Sequence, residues 1–321
     1  MIDIVLATYN GERFLVEQVK SIQACIDYHT LVSRLIIVDD GSTDNTLNLI
    51  TQLAKQDQRI ELHLNESGLH GPSHNFGYGL TKTSANYLML CDQDDIWFPE
   101  KISVSIQHLK QAENRLPPNT PILVFSDKQI VDENLQLICD SYFSLKNISK
   151  DWHRTFKQLC QQNVVSGCTT LFNRALMEKA LPIPEQAYMH DWWLALVAHR
   201  CGEIVFIDKA LIQYRQHHHN TIGARERSVI SLFLKFTHHL RQFKKSQQGI
   251  INQAIAFKQF EQKNKLSENE TLAILSSLNS ATLCKKMSYF CKGKVTRSHF
   301  FGKVALLVSL LDSKKTKVIK K

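Results

Sequence analysis

No Cys-x-x-Cys pair occurs in the 321 residues, although eight cysteines are present, at 25, 91, 139, 160, 168, 201, 284 and 291. Scattered thiols of this kind exclude a zinc ribbon and a disulfide framework, and they fit a reducing compartment with most thiols buried. Long hydrophobic runs are missing too. The longest, Val304 to Leu311, is far short of the roughly 20 residues needed to cross a bilayer. Asp3 interrupts the first apolar run, which therefore reads as a strand and not as a signal peptide, and a cytoplasmic location is expected. The turn after that strand, Ala7-Thr8-Tyr9-Asn10-Gly11-Glu12-Arg13, is glycine-poor and carries an acid, which argues against a triphosphate-gripping loop and so against nucleotidyl transfer. Internal repeats and low-complexity segments are absent as well.

Acidic residues are scarce in one part only. Residues 1–221 carry 25 Asp and Glu against 19 Lys and Arg, net −6, whereas residues 222–321 carry 5 against 20, net +15. A hydrophobic content of 43% is ample for a core. The composition thus predicts one large domain over 1–221 and a basic, mainly helical extension over 222–321. Val229, Ile230, Leu232, Phe233, Leu234, Phe236, Leu240 and Phe243 lie among basic residues, and Phe300, Phe301, Val304, Leu306, Leu307 and Leu310 repeat the pattern. Basic amphipathic helices lie in the headgroup region of anionic membranes, and the alternative is that these faces pack on protein. Nucleic acid is the less suitable partner, because the acidic strand ends described next would repel a phosphate backbone.

Along the first domain, apolar β-branched runs alternate with helical patterns: strands over 2–7, 34–38, 60–64 and 86–91, helices over 12–28, 44–56, 72–82 and 100–113. A strand at 122–125 follows, then one from Val164 to Phe172, a helix carrying Arg174 and Lys179, a helix opening at Met189, and a last strand at 204–207 that precedes Leu211 to His217. Such alternation implies an α/β fold with a mostly parallel, doubly wound sheet, whose ligand site lies beyond the carboxyl ends of its strands. Three of those ends are polar: Ala7-Thr8-Tyr9-Asn10, Asp39-Asp40-Gly41-Ser42-Thr43-Asp44 and Cys91-Asp92-Gln93-Asp94-Asp95. The last places three carboxylates in four positions. Like charges so close raise one another's pKa unless a hard divalent cation offsets them.

Taken together with His190-Asp191-Trp192-Trp193 and Tyr214-Arg215-Gln216-His217, these motifs resemble, in order and spacing, glycosyltransferase family 2 over about residues 1–220. Within it the chain is most similar to bacterial enzymes of surface polysaccharide synthesis, rhamnosyltransferases among them. The resemblance implies a GT-A type fold, a UDP- or dTDP-sugar donor, Mg²⁺ or Mn²⁺, inversion at the anomeric carbon, and a lipid-linked or oligosaccharide acceptor at the inner face of the cytoplasmic membrane. It implies roles as well. Thr8, Tyr9 and Asn10 would meet the nucleoside, with the Tyr9 ring against a pyrimidine, and Asp40, or its neighbour Asp39, would accept from the base or ribose. Family members often carry an Arg between Gly68 and Asn75; here His74 and Asn75 are the candidates for donor contact. Asp92 and Asp94 would form the metal pair, Asp94 as direct ligand and Asp92 on the donor side, with His217 a third ligand or a diphosphate contact. Asp191 would be the catalytic base, and Asp95, Gly167, Trp192 and Trp193 would line the acceptor sugar.

Overall fold

A computed structural model describes residues 1–217, 236–298 and 300–311. The chain forms two compact units. One comprises Met1–Lys150, Val165–Ile183 and Met189–Arg225, the other Asp151–Val164, Pro184–Tyr188 and Glu226–Lys321. The composition marks a change of character at 222–228, but nothing in it signals that two earlier segments join the C-terminal unit.

The first unit is built on β1 (Ile2–Thr8), β2 (Val32–Asp39), β3 (Ile60–Leu64), β4 (Tyr87–Cys91), β5 (Ile96–Trp97), β6 (Ile122–Val131), β7 (Leu137–Cys139), β8 (Thr170–Asn173) and β9 (Glu203–Arg215). They form one sheet in the order β3-β2-β1-β4-β8-β6-β9-β5, with β7 on β6. β1 pairs in parallel with β2 and β4, β2 with β3, and β6 with β9. β8 lies antiparallel between β4 and β6, and β5 and β7 are also reversed. Six of nine strands therefore point one way, in a sheet that is mixed as a whole. The central strands are covered on both faces, which is why they read as unbroken apolar runs. Asp3 sits fully buried in β1 because Arg34 bonds it twice, at 2.6 and 3.3 Å, and the Ser84 and Ala85 N–H groups donate to Oδ2.

Flanking the strands are α1 (Leu15–Gln23), α2 (Tyr28–Leu31), α3 (Thr46–Gln56), α4 (Pro72–Thr81), α5 (Lys101–Glu113), α6 (Tyr142–Leu145), α7 (Phe156–Leu159), α8 (Arg174–Ala180) and α9 (His190–Cys201), of which α7 belongs to the second unit. Three sequence expectations need adjustment. The helix expected over 12–28 starts at Leu15, because Phe14 and Leu15 first turn back to the Gly11 carbonyl. The strand expected from Val164 begins only at Thr170; the Thr169 and Thr170 hydroxyls bond the Ser166 and Gly167 carbonyls and hold Gly167–Thr169 in a 3₁₀ turn. The strand expected at 204–207 runs on to Arg215, its register on β6 shifting at Ser126–Gln129.

The second unit contains α10 (Phe236–Lys263), α11 (Glu270–Ser277), α12 (Leu283–Cys291) and α13 (Phe300–Leu311). Phe156 packs on Phe257 at 5.8 Å between ring centroids, Gln161 bonds the backbone of Lys294 and Thr296, and the Tyr188 N–H donates to Gln253. These contacts explain why segments 151–164 and 184–188 belong here. No described helix is long and apolar enough to cross a membrane. Of the expected membrane-facing run, Val229 to Leu234 lies outside the described residues, as do His218 and His219 beside His217.

Candidate active site

Two strand ends meet through a glutamine. The Gln93 Oε1 accepts from Thr8 Oγ1 at 2.6 Å and from the Tyr9 N–H at 2.9 Å, while its Nε2 donates to the Tyr9 carbonyl at 3.2 Å. This ties the loop after β4 to the end of β1. Gly11 permits the approach, since a Cβ there would lie 2.4 Å from Gln93 Oε1. Asn10, at φ 47°, donates its N–H to Ser42 Oγ, and its Oδ1 accepts from the Thr43 N–H, both at 2.8 Å, so the turns after β1 and β2 are joined. Tyr9 is left 55% exposed, a free flat ring beside these turns.

The two neighbouring carboxylates of β2 divide their work. Asp39 is fully buried and accepts from the Gly41 and Ser42 N–H groups and the Ser42 hydroxyl, which closes the turn. Asp40 holds the following loop through the Gly71 N–H at 2.7 Å, Asn65 Nδ2 at 2.8 Å and His70 Nδ1 at 3.1 Å, and its side chain is 9% exposed. Asn75 is buried, with its amide on the Val38 and Thr8 carbonyls, whereas His74 beside it in α4 is accessible.

Below these turns lies the acidic cluster. Oxygens of Asp92 and Asp95 and the Cys168 Sγ all fall within 4.8 Å of one another. Burial first, then the charge of Asp94, pushes Asp92 up to about 7, and the same causes push Asp95 well above the usual carboxylate range. Asp95 has no exposed surface, and its Oδ2 has no hydrogen-bond partner. Asp94 is more open, and its Oδ2 lies 2.8 Å from His217 Nε2. Arg215 closes the floor: its Nε donates to the Asp94 carbonyl at 2.9 Å and its N–H to Asp95 Oδ1 at 3.3 Å.

Asp191 acts on this cluster from α9. It stands in the first turn of α9, where the helix dipole favours an anion. Its Oδ2 accepts from the Gly167 N–H at 3.0 Å and its Oδ1 from the Trp192 N–H at 2.6 Å. Gly167 adjoins Cys168 of the cluster, and the Asp191 charge is close enough to raise Asp92 further. A Cβ on Gly167 would come within 2.9 Å of His190 Nε2, so this contact depends on glycine.

Tyr9, Asn10, Asp40, His74, Asp92, Asp94, Asp191 and His217 are not fully buried. Asn10 joins the turns after β1 and β2, and Asp92, Asp94, Asp191 and His217 share the acidic cluster. The other candidates are buried. Thr8, Asp39 and Asn75 bond within the strand ends and shape them. All four acceptor-side candidates are buried. Asp95 belongs to the floor of the acidic cluster, Gly167 acts through its backbone on Asp191, and Trp192 and Trp193 are core residues, with the Trp193 indole bonded to the Ala180 carbonyl at 2.9 Å.

Two lysines here were not singled out from the sequence. Lys128 is buried, with its Nζ 3.8 Å from the Tyr214 ring centroid, 4.6 Å from that of Tyr142, and 2.8 Å from Ser166 Oγ; its charge lowers the pKa of Asp92 against the stronger upward effects. Lys101 is fully buried over the Trp97 ring at 4.4 Å and donates to the Cys168 carbonyl at 2.7 Å, and desolvation lowers its pKa. Both side chains lie close to the acidic cluster. The donor set as a whole fits a hard divalent ion: Asp92 and Asp94 offer accessible oxygens, and the orphaned Asp95 oxygen marks uncompensated negative charge. The soft, buried Cys168 suits Mg²⁺ or Mn²⁺ poorly.

The glycosyl transferase family 2 model matches residues 3–179. A dTDP-rhamnosyl transferase, RfbG, of Shigella flexneri is 30% identical over 233 residues, 68% of this chain and 74% of that protein. A GalNAc(5)-diNAcBac-PP-undecaprenol beta-1,3-glucosyltransferase of Campylobacter jejuni is 29% identical over 55% of this chain and 53% of its own length, so the matched span is about half of that relative. Among solved structures, Staphylococcus aureus TarS 1–349 in complex with UDP-GlcNAc superposes with a TM-score of 0.56 at 14% identity, covering 96% of this chain and 90% of that one. The mannosyltransferase PcManGT of Pyrobaculum calidifontis, in complex with GDP-Man and Mn²⁺, gives 0.57 at 12% identity over 97% and 86%. The architecture is therefore the GT-A type, and the chain belongs to glycosyltransferase family 2.

Proposed function

We propose that this glycosyltransferase moves a sugar, with inversion, from a UDP- or dTDP-sugar to a hydroxyl of a lipid-linked or oligosaccharide acceptor in bacterial surface polysaccharide synthesis. The observation that carries the reading is the position of Asp191, fixed by the Gly167 N–H and close enough to act electrostatically on Asp92. Inverting transfer is a single displacement, in which the acceptor hydroxyl attacks from the face opposite the nucleotide and a carboxylate takes its proton. Asp191 is that base. The exposed Tyr9 ring stacks on the pyrimidine, and Asp40 accepts from the base or ribose. Asp92 and Asp94 would hold Mg²⁺ or Mn²⁺, with His217 orienting Asp94 or joining as a ligand. When bound, the ion offsets charge that builds on the leaving diphosphate.

The name of the Shigella relative favours dTDP-rhamnose as donor, and the undecaprenol-linked acceptor in the name of the Campylobacter relative favours a lipid-linked acceptor at the inner face of the cytoplasmic membrane. The +15 charge of residues 222–321 agrees with work at an anionic surface. In the test, purified protein is given dTDP- and UDP-sugars with a saccharide acceptor. Nucleoside diphosphate should appear only with Mg²⁺ or Mn²⁺, and Asp191→Asn should lower turnover by about 10²–10⁴-fold while leaving donor affinity intact. Transfer by Asp191→Asn at the parent rate would refute the assignment of the base, and release of pyrophosphate would make the reaction nucleotidyl transfer.

A further inference from the structure

Helix α12 is amphipathic yet buries none of its residues. Leu283, Met287, Phe290 and Cys291 fall at i, i+4, i+7 and i+8, one apolar stripe, and Lys285, Lys286 and Lys292 stand outside it. Neighbouring α11, by contrast, buries Leu272, Ile274 and Leu275. Leu283 is 46% exposed, Cys284 and Cys291 are exposed, and Met287 and Phe290 are only half-buried. Among the described residues, none of Lys285, Lys286 and Lys292 forms an ion pair, whereas Lys294 pairs with Glu270 and Arg297 is buried against Gln247. From 283 to 321 the chain has eleven Lys and Arg and one acidic residue, Asp312.

We infer that α12 docks in the headgroup region of an anionic bilayer, its apolar stripe inserted and its lysines among the lipid phosphates. The inference deepens the membrane placement proposed above and rests on it. Two physical demands select this occupant. The stripe needs an apolar phase beside the charge, which a nucleic-acid backbone does not provide, and a second copy of this chain would bring an equally positive segment against the first. An anionic lipid surface satisfies both demands at once.

The full-length protein is sedimented with phosphatidylcholine vesicles, alone or containing phosphatidylserine, at low and high salt. The expected result is binding to the anionic vesicles only, weakened by salt. Lys285→Ala with Lys286→Ala should lower partitioning by about 25-fold, at roughly fivefold per lysine, and Leu283→Ser with Phe290→Ser should lower it at both salt concentrations. Because α12 buries nothing, both double variants should keep the parent's melting temperature and its thermal stabilisation by UDP with Mn²⁺. Equal binding to neutral vesicles, variants that partition like the parent, or a concentration-dependent dimer lost in the Leu283/Phe290 variant would overturn the inference. Loss of the UDP and Mn²⁺ response in the parent, with anionic binding intact, would count against the proposed reaction and not against the docking face.

Discussion

Raising the pH from about 6 to about 8 should tighten Mn²⁺ binding roughly tenfold, with a proton released as the ion binds. The perturbation acts on Asp92, which burial and the neighbouring Asp94 lift from an ordinary value of 3.8 to about 7. A ligand carboxylate must be ionised, and a group titrating near 7 is about one-tenth ionised at pH 6 and about nine-tenths at pH 8. Calorimetric titration of Mn²⁺ in two buffers of different ionisation enthalpy gives both the affinity and the proton count. Metal-free, the same carboxyl holds its proton more tightly in the folded chain than in the unfolded one. Its contribution to folding is therefore present below about pH 4 and is lost as pH rises through about 7. Asp92→Asn should weaken Mn²⁺ binding and flatten its dependence on pH over this interval. An affinity that stays constant between pH 6 and 8 in the parent protein would refute the reasoning, because Asp92 would then be ionised throughout or would not take part.

His190, buried with neither ring nitrogen bonded and stacked on Phe76 at 4.2 Å, is held down at about 3 by burial. The unfolded chain binds a proton there near 6.5, so stability is full above that value and falls as the pH drops below it, by about 2 kcal/mol at pH 5. His190→Phe should remove this acid sensitivity, as read from urea midpoints at the two pH values; an unchanged difference between them would contradict it. Lys128→Met removes the bond to Ser166, the stacking on Tyr214 and a cation beside Asp92. It should cost about 1–3 kcal/mol and move the Mn²⁺ titration to higher pH, whereas a variant that is destabilised without that movement would make Lys128 a packing residue only.

The strand ends were legible because their strands are buried on both faces. Ile2–Leu6, Leu35–Val38 and Leu88–Leu90 read as continuous apolar runs, and the polar residues that break them mark where the sheet opens. The direction of each side chain was not legible. Asp39 and Asp40 are equivalent on paper, yet one caps its own turn and the other ties down the loop at Gly71. Trp192 and Trp193 were read as a sugar wall because they adjoin Asp191, but α9 is buried from Trp192 through Ala198, a face decided by tertiary packing. Lys101 lies in α5, where a lysine ordinarily signals solvent, and its partner Cys168 is 67 positions away. For Lys128 a signal did exist. The strand expected to end at Phe125 resumes its apolar character at Ile130 and Val131, and continuing it through Asp127 would have placed the lysine inside the sheet.

The buried lysines make the acidic cluster understandable as a balance of charge. Asp92, Asp94, Asp95 and Asp191 crowd four carboxyls together, with the side chains of Lys101, Lys128 and Arg215 against them. Burial and mutual repulsion outweigh the pull of Lys128, so Asp92 and Asp95 hold their protons more tightly than ordinary carboxyls do. A divalent cation held by Asp92 and Asp94 would offset the same crowding and displace those protons.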